Sequence, residues 1–231
     1  MRVVIFVDSE NFRASINYIN KERKQDRVID WYKINLFVLN YLTNNPQYKN
    51  ERLGHIRTYV YTGEYTENLI KRIDDALKKD SNNDTLKKIV ESAKHNRIGQ
   101  IDFYKKASSY YYFEIRKKPL QFTPNKGIFQ KGVDVQLAVD LVSFAHQNIY
   151  DIAVIFSGDI DLLESLKTVK NLGKQIIIFS HYKNVAIEMK READMFVNLQ
   201  ILSEKQLDEI SHLFQRNQGQ QNNLNSPTNE Y

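Results

Sequence analysis

The sequence contains no cysteine. Disulfide bridges, zinc–thiolate centres and thiol catalysis are therefore excluded, and the absence suits a cytoplasmic location. No apolar run approaches the roughly 18 residues that a membrane helix needs, so no membrane partner is expected. The opening MRVVIFVDSEN does not read as a signal peptide, because its apolar run is short and ends in Asp8. There is no internal repeat, and the five histidines have no metal-ligand spacing. What is present is ordinary globular composition, 42% hydrophobic and 26% charged, enough to build a core over 231 residues without staples. The formal net charge of +5 suits a polyanionic partner.

Along the chain, short apolar runs alternate with helical patterns. Arg2–Val7, His55–Tyr61, Ile152–Phe156, Gln175–Phe179 and Met195–Leu199 read as strands, most of them covered on both faces. Ile101–Lys105 is expected to be a further strand, and Tyr110–Arg116 one arm of a hairpin or a strand excursion, followed by a loop from Pro119 to Gly127. Helices are expected over Trp31–Leu42, Val133–His146, Leu162–Leu172, Asn184–Glu192 and Glu204–Phe214, with a polar start at Ser9–Asn11 leading into Phe12–Lys21. Thr66–Arg97 is helical in pattern with a break at Ser81–Asp84. The residues after Arg216 are polar and low in complexity, which predicts one domain over 1–213 and a disordered tail over 214–231. The alternation implies an α/β fold, a mostly parallel sheet with helices on both faces.

In such sheets ligands bind beyond the carboxyl ends of the strands. Asp8 directly follows the first buried strand. Asp159 and Asp161 follow IAVIF with only Ser157 and Gly158 between, and Asp134 opens the helix at 133. Four carboxylates gathered at one edge repel one another, and a hard divalent cation such as Mg²⁺ or Mn²⁺ is the usual compensation. Such a cation activates water and stabilises the leaving oxygen of a phosphodiester, with no need for a serine–histidine pair. Asp140 lies six residues beyond Asp134, about 9 Å along a helix, and is expected to point elsewhere. Ser157 is a candidate contact for water or phosphate. Lys126 and Lys131 are candidate holders of a scissile phosphate. Tyr110–Tyr112, flanked by Lys105–Lys106 and Arg116–Lys118, suit single-stranded RNA, or else form a strand with one ring inward and two outward.

Three blocks, FVDSENF at 6–12, KGVDVQLAVDL at 131–141 and IFSGDIDLL at 155–163, resemble the signature blocks of NYN domains, of the LabA/DUF88-type branch of the PIN-like nuclease superfamily. The resemblance implies a three-layer PIN-like α/β sandwich, Mg²⁺ or Mn²⁺, and endonucleolytic cleavage of RNA. It assigns Asp8, Asp134, Asp159 and Asp161 as catalytic metal ligands and Asn11 as the polar residue accompanying Asp8. Leu162 stands where the family often has an aromatic residue, and about 100–131 matches no block. The alternatives are a non-catalytic RNA-binding or regulatory module of the same fold, a partner-binding scaffold, and a phosphoryl-transfer enzyme using Lys183. A DxDx[TV] motif, which that last class needs after strand one, is missing. A homodimer is also compatible with the sequence.

Overall fold

In the computed structural model, which describes residues 1–214, the run RVVIFVD forms strand β1 (Arg2–Asp8) at the centre of a parallel sheet. Its residues alternate between two cores. Val3, Ile5 and Val7 face one side, while Val4 and Phe6 face the other. This is why the segment is apolar at every position rather than at every second one. The chain then forms α1 (Ser9–Arg23), a short β2 (Arg27–Ile29), α2 (Ile34–Thr43) behind a 3₁₀ turn at Trp31–Lys33, and β3 (Gly54–Glu64). It continues through α3 (Glu67–Lys79), α4 (Asp84–Ala107), β4 (Phe113–Pro119) and a small hairpin of β5 (Gln121–Thr123) and β6 (Gly127–Phe129). The rest comprises α5 (Val133–His146), β7 (Ile152–Phe156), α6 (Leu163–Asn171), β8 (Gln175–Ser180), α7 (Ile187–Glu192), β9 (Met195–Asn198), α8 (Glu204–Asp208) and β10 (Ser211–Leu213).

The main sheet has the order β4-β3-β1-β7-β8-β9, with every neighbouring pair parallel. Helices α1 and α2 pack on one face around Phe12, Ile16, Phe37 and Phe156. Helices α5, α6 and α7 cover the other around Leu137, Leu141, Leu166 and Met189. The result is the expected three-layer α/β sandwich. Helices α3 and α4 and the hairpin form a satellite around Leu69, Ile73, Val90 and Phe122. Residues 215–231, most of the expected tail, lie outside the described residues, and Phe214 still donates its backbone N–H to Asp26.

Three expectations are corrected. Ile101–Lys105 is not a strand but the last turns of α4. The inward positions Leu86, Val90, Ala93, Gln100, Tyr104 and Ala107 keep one helical face running through it, and Gln100 donates to the Gly63 carbonyl at 2.7 Å. Glu204–Phe214 is not one helix. After α8 the chain turns and β10 pairs antiparallel with β2. The loop expected after Pro119 contains the β5–β6 hairpin. Tyr110–Arg116 resolves as the run into edge strand β4, parallel to β3, so it is no hairpin arm.

Candidate active site

Because every strand of the main sheet points the same way, all the strand ends lie at one edge. Asp8 ends β1, and Phe156, the register partner of Val7, ends β7, so Ser157 to Asp161 emerge beside Asp8. Asp8 caps α1: its Oδ1 accepts the N–H groups of Glu10 and Asn11, both at 3.1 Å. It is only 4% exposed. Burial pushes its carboxyl up to about 7; the two amides oppose the rise, and the charges of Asp134 and Glu10 add to it. Asp134 sits in the first turn of α5, behind Gly132 in the left-handed region at φ 80°. Its carboxyl is also raised, by partial burial and then by the charges of Asp159 and Asp161. Asp159 caps the 3₁₀ turn Ile160–Leu162, accepting from the Asp161 amide at 3.1 Å, and Asp161 is exposed.

The four aspartates therefore share an edge, where Asp8 feels the charge of Asp134, and Asp134 that of Asp159 and Asp161. Among the described residues, however, no three His, Cys, Asp or Glu side chains stand close enough together to hold a cation between them. The donor set still fits a hard divalent ion in its chemistry. Asp8 and Asp134 are destabilised in charged form, and Mg²⁺ keeps several waters while taking only one or two carboxylates directly.

Asn11 is a tie at the strand ends. Its Oδ1 accepts from the Gly158 N–H at 3.1 Å and from Asn184 Nδ2 at 2.8 Å. Asn184 Nδ2 also reaches the Asn11 carbonyl at 2.9 Å and Ser15 Oγ at 3.1 Å. Asn184, which follows β8 and was expected only as the start of a helix, ends a 3₁₀ turn instead and is the unanticipated member of the site. The rule that found Asp8 and Asp159, a polar residue just past a buried strand, applies to it equally. Ser157 is buried, with Oγ 3.5 Å from Asp8 Oδ2 and accepting from the Asp159 N–H at 3.2 Å.

Asp140 stands apart, as its helical spacing implies. It accepts from the Tyr61 hydroxyl at 2.9 Å, with Arg116 Nε 3.9 Å away. Lys183 is taken up by Glu22 at 2.8 Å. The three tyrosines precede β4 and so lie at the far end of that strand from the aspartates. Tyr110 packs on Tyr32 and Phe113, while Tyr111 and Tyr112 face solvent. Lys126 sits in the β5–β6 turn and Lys131 just before α5. Beside Asp8, a groove of about 870 Å³ runs between α1, the end of β3 and the α4–hairpin satellite.

No helix among the described residues is long and apolar enough to cross a membrane. Among curated proteins none matches this chain. The crystal structure of a protein of unknown function, VPA0982, from Vibrio parahaemolyticus RIMD 2210633 is similar in fold. Its TM-score is 0.51 at 13% identity, over 91% of this chain and 96% of that one. The model of the NYN domain matches residues 2–202, a span that holds all four aspartates and the whole parallel sheet, and the chain belongs to the NYN domain family, within the PIN-like nuclease superfamily.

Proposed function

We propose that the protein is a divalent-metal-dependent endoribonuclease whose site is Asp8, Asp134, Asp159 and Asp161. The observation that carries this reading is electrostatic. Asp8 and Asp134 are both raised, partly by neighbouring carboxylates, at the edge where parallel sheets bind ligands. Carboxylates raised by one another at a ligand-binding edge mark a candidate functional site, and a cation would relieve their repulsion. The four carboxylates would hold Mg²⁺ or Mn²⁺, which supplies an activated water and charge stabilisation at the phosphodiester. The chain's other groups set the stage. Ser157 and the α1 amides fix the orientation of Asp8. The Asn11–Asn184 tie holds the β7 turn against α1, so that Asp159 stays beside β1. In the reaction, water oxygen bonds to phosphorus and the bond to the 3′-oxygen breaks, leaving a 5′-phosphate and a 3′-hydroxyl.

The test is cleavage of a labelled single-stranded RNA with Mg²⁺ or Mn²⁺, comparing the intact protein with a folded Asp159→Asn variant. Loss of one ligand should cost several kcal/mol of transition-state stabilisation, about 10²–10⁴ in rate. Cleavage that survives the substitution, or that does not need metal, would overturn the assignment. One observation favours a second reading, a non-catalytic RNA-binding module. The described acidic side chains do not close on a ready-made cation site. RNA binding without cleavage by either protein would select it.

A further inference from the structure

The strand register carries the edge beyond the aspartates. Asp8 pairs with Tyr61, and Tyr61 with Arg116, so β3 and β4 each run three residues past the level at which β1 ends. Above β3 lies the groove described above. Its walls include Arg13, Tyr65, His95, Phe103 and Phe129. Arg13 lies over the Trp31 ring at 5.4 Å and has no carboxylate ion pair among the described residues. Its guanidinium is crowded by protein yet reached by solvent from the groove, and the crowding lowers its pKa. Above β4 lies a second cavity of about 330 Å³. It is lined by Arg72, Lys118 and Lys131 together with Thr66, Asn68 and Gln121, and by no acid.

The three cations of this cavity form no ion pair among the described residues, although the neighbouring Lys117 is paired with Glu64 at 2.8 Å. Arg72 makes one hydrogen bond, to the Phe122 carbonyl at 3.2 Å. Leu120 lines both cavities, so they adjoin. Lys118 pairs with Gly63, two residues past Tyr61. Its place is about 10 Å sideways from Asp8, two strand spacings, and about 7 Å further along the strand direction. Acidic edge, ring-lined groove and basic cavity thus follow one another across the sheet.

We propose that groove and cavity form a track for a single-stranded RNA segment leaving the acidic edge, with a backbone phosphate seated among Arg72, Lys118 and Lys131. Phe103 and Phe129 offer faces for bases, and Arg13 offers a second cation on the way. The single strand is favoured because the groove is walled on one side by α1 and on the other by the α4–hairpin satellite. Duplex RNA is instead read across a wide, shallow surface. The direction of the strand rests on the nuclease reading; the binding does not.

The experiment is fluorescence anisotropy of a labelled single-stranded oligouridylate in EDTA, so that no cleavage consumes the probe. A salt series is run for the intact protein, for Arg72→Ala/Lys118→Ala/Lys131→Ala, and for Lys21→Ala/Lys49→Ala/Lys205→Ala, which loses the same charge elsewhere. The track predicts a rise in Kd on the order of tenfold for the first variant, a salt slope smaller by about 0.7, and little change in the control. Single Lys118→Ala and Lys131→Ala variants give smaller shifts of the same sign and keep the test valid if the triple variant misfolds. Equal losses in both triple variants would mean diffuse charge and overturn the track. So would duplex RNA binding as tightly as single strand, no binding at all, or sensitivity only when the probe carries a 5′-phosphate. Binding that behaves as expected alongside absent cleavage would uphold the track and reject the nuclease reading.

Discussion

At the scale of single residues, Asp8 has two incompatible duties. As the cap of α1 it should stabilise the fold. As a carboxylate only 4% exposed, beside Asp134 and Glu10, it destabilises the fold whenever it is ionised. The sign follows from its folded value of about 7, above the ordinary 3.8. The folded state binds the extra proton, so stability is full below the ordinary value and is lost as pH rises through about 7. Asp8→Asn keeps a capping oxygen and removes the charge. In EDTA at pH 8 the variant should be more stable than the parent by on the order of 3 kcal/mol, and the difference should vanish towards pH 4. Mg²⁺ or Mn²⁺ should raise the melting temperature of the parent and leave that of the variant nearly unchanged. An Asp8→Asn protein that melts below the parent at pH 8 would mean that Asp8 serves only as a cap. Asp8 and Asp159 stand out in the sequence as acids at or just past the ends of fully apolar strands, and Asp134 and Asp161 join them only through the three blocks taken together, since an acid in such a place also serves as a helix cap. Asn184 stands out less. An uncharged amide at a strand end is common, and its role appears only once Asn11 and Gly158 are known to meet it.

Among the elements, the turn after β7 decides how near Asp159 comes to Asp8. It runs against the segment leaving β8, and Gly158 is where they touch. A Cβ there would stand 2.1 Å from the Asn184 carbonyl oxygen and 2.5 Å from Val185 Cα. Both obstacles are backbone, so neither can swing aside as a flexible side chain can. Gly158→Ala must displace the β8–α7 segment or the turn itself. We expect a loss of about 2–4 kcal/mol in urea unfolding and a fall in activity as Asp159 shifts. Gly54→Ala, with nothing within 4 Å of the added atom, should change stability by less than about 0.5 kcal/mol. A tolerated Gly158→Ala would mean that the two segments are free to separate. The same scale explains which elements could be read from sequence. Val133–His146 and Ile152–Phe156 are bounded by their own chemistry, Gly132 before the helix and Ser157–Gly158 after the strand. Ile101–Lys105 has strand-like composition but continues a helical face set fifteen residues earlier, which a five-residue window does not sense. β2 and β10 have three residues each and exist only because they pair with one another across some 180 positions. No local pattern announces a contact of that kind.

For the whole molecule, that distant pairing carries the folded part of the chain past the span of the family match. The family match stops at residue 202, yet α8 and β10 follow it and return to the start of the chain. Arg27 joins them. Its side chain is 1% exposed and bonds Glu204, Asp208 at 2.7 Å and Ser211 Oγ at 3.3 Å, with Nε donating to Gln25 at 2.9 Å. Glu204 is held down to about 2 by Gln25, Arg23 and Arg27. Removing one partner of a buried pair commonly costs about 3–5 kcal/mol because the other is left charged and dry. Here Glu204 and Asp208 are 54% and 61% exposed and would rehydrate, so the cost lies in lost hydrogen bonds and packing. Arg27→Ala should therefore destabilise by about 2 kcal/mol, and Arg27→Lys should restore less than half, since one ammonium cannot span the acceptors of a planar fork. Helix α1 carries the chain about 22 Å away from Asp8 before it reaches this clasp. Cleavage at temperatures where both variants are folded should thus match the parent, while thermal unfolding separates them. A change in activity without a change in melting would mean that the clasp is coupled to the acidic edge, and that the C-terminal segment belongs to the working site as well as to the fold.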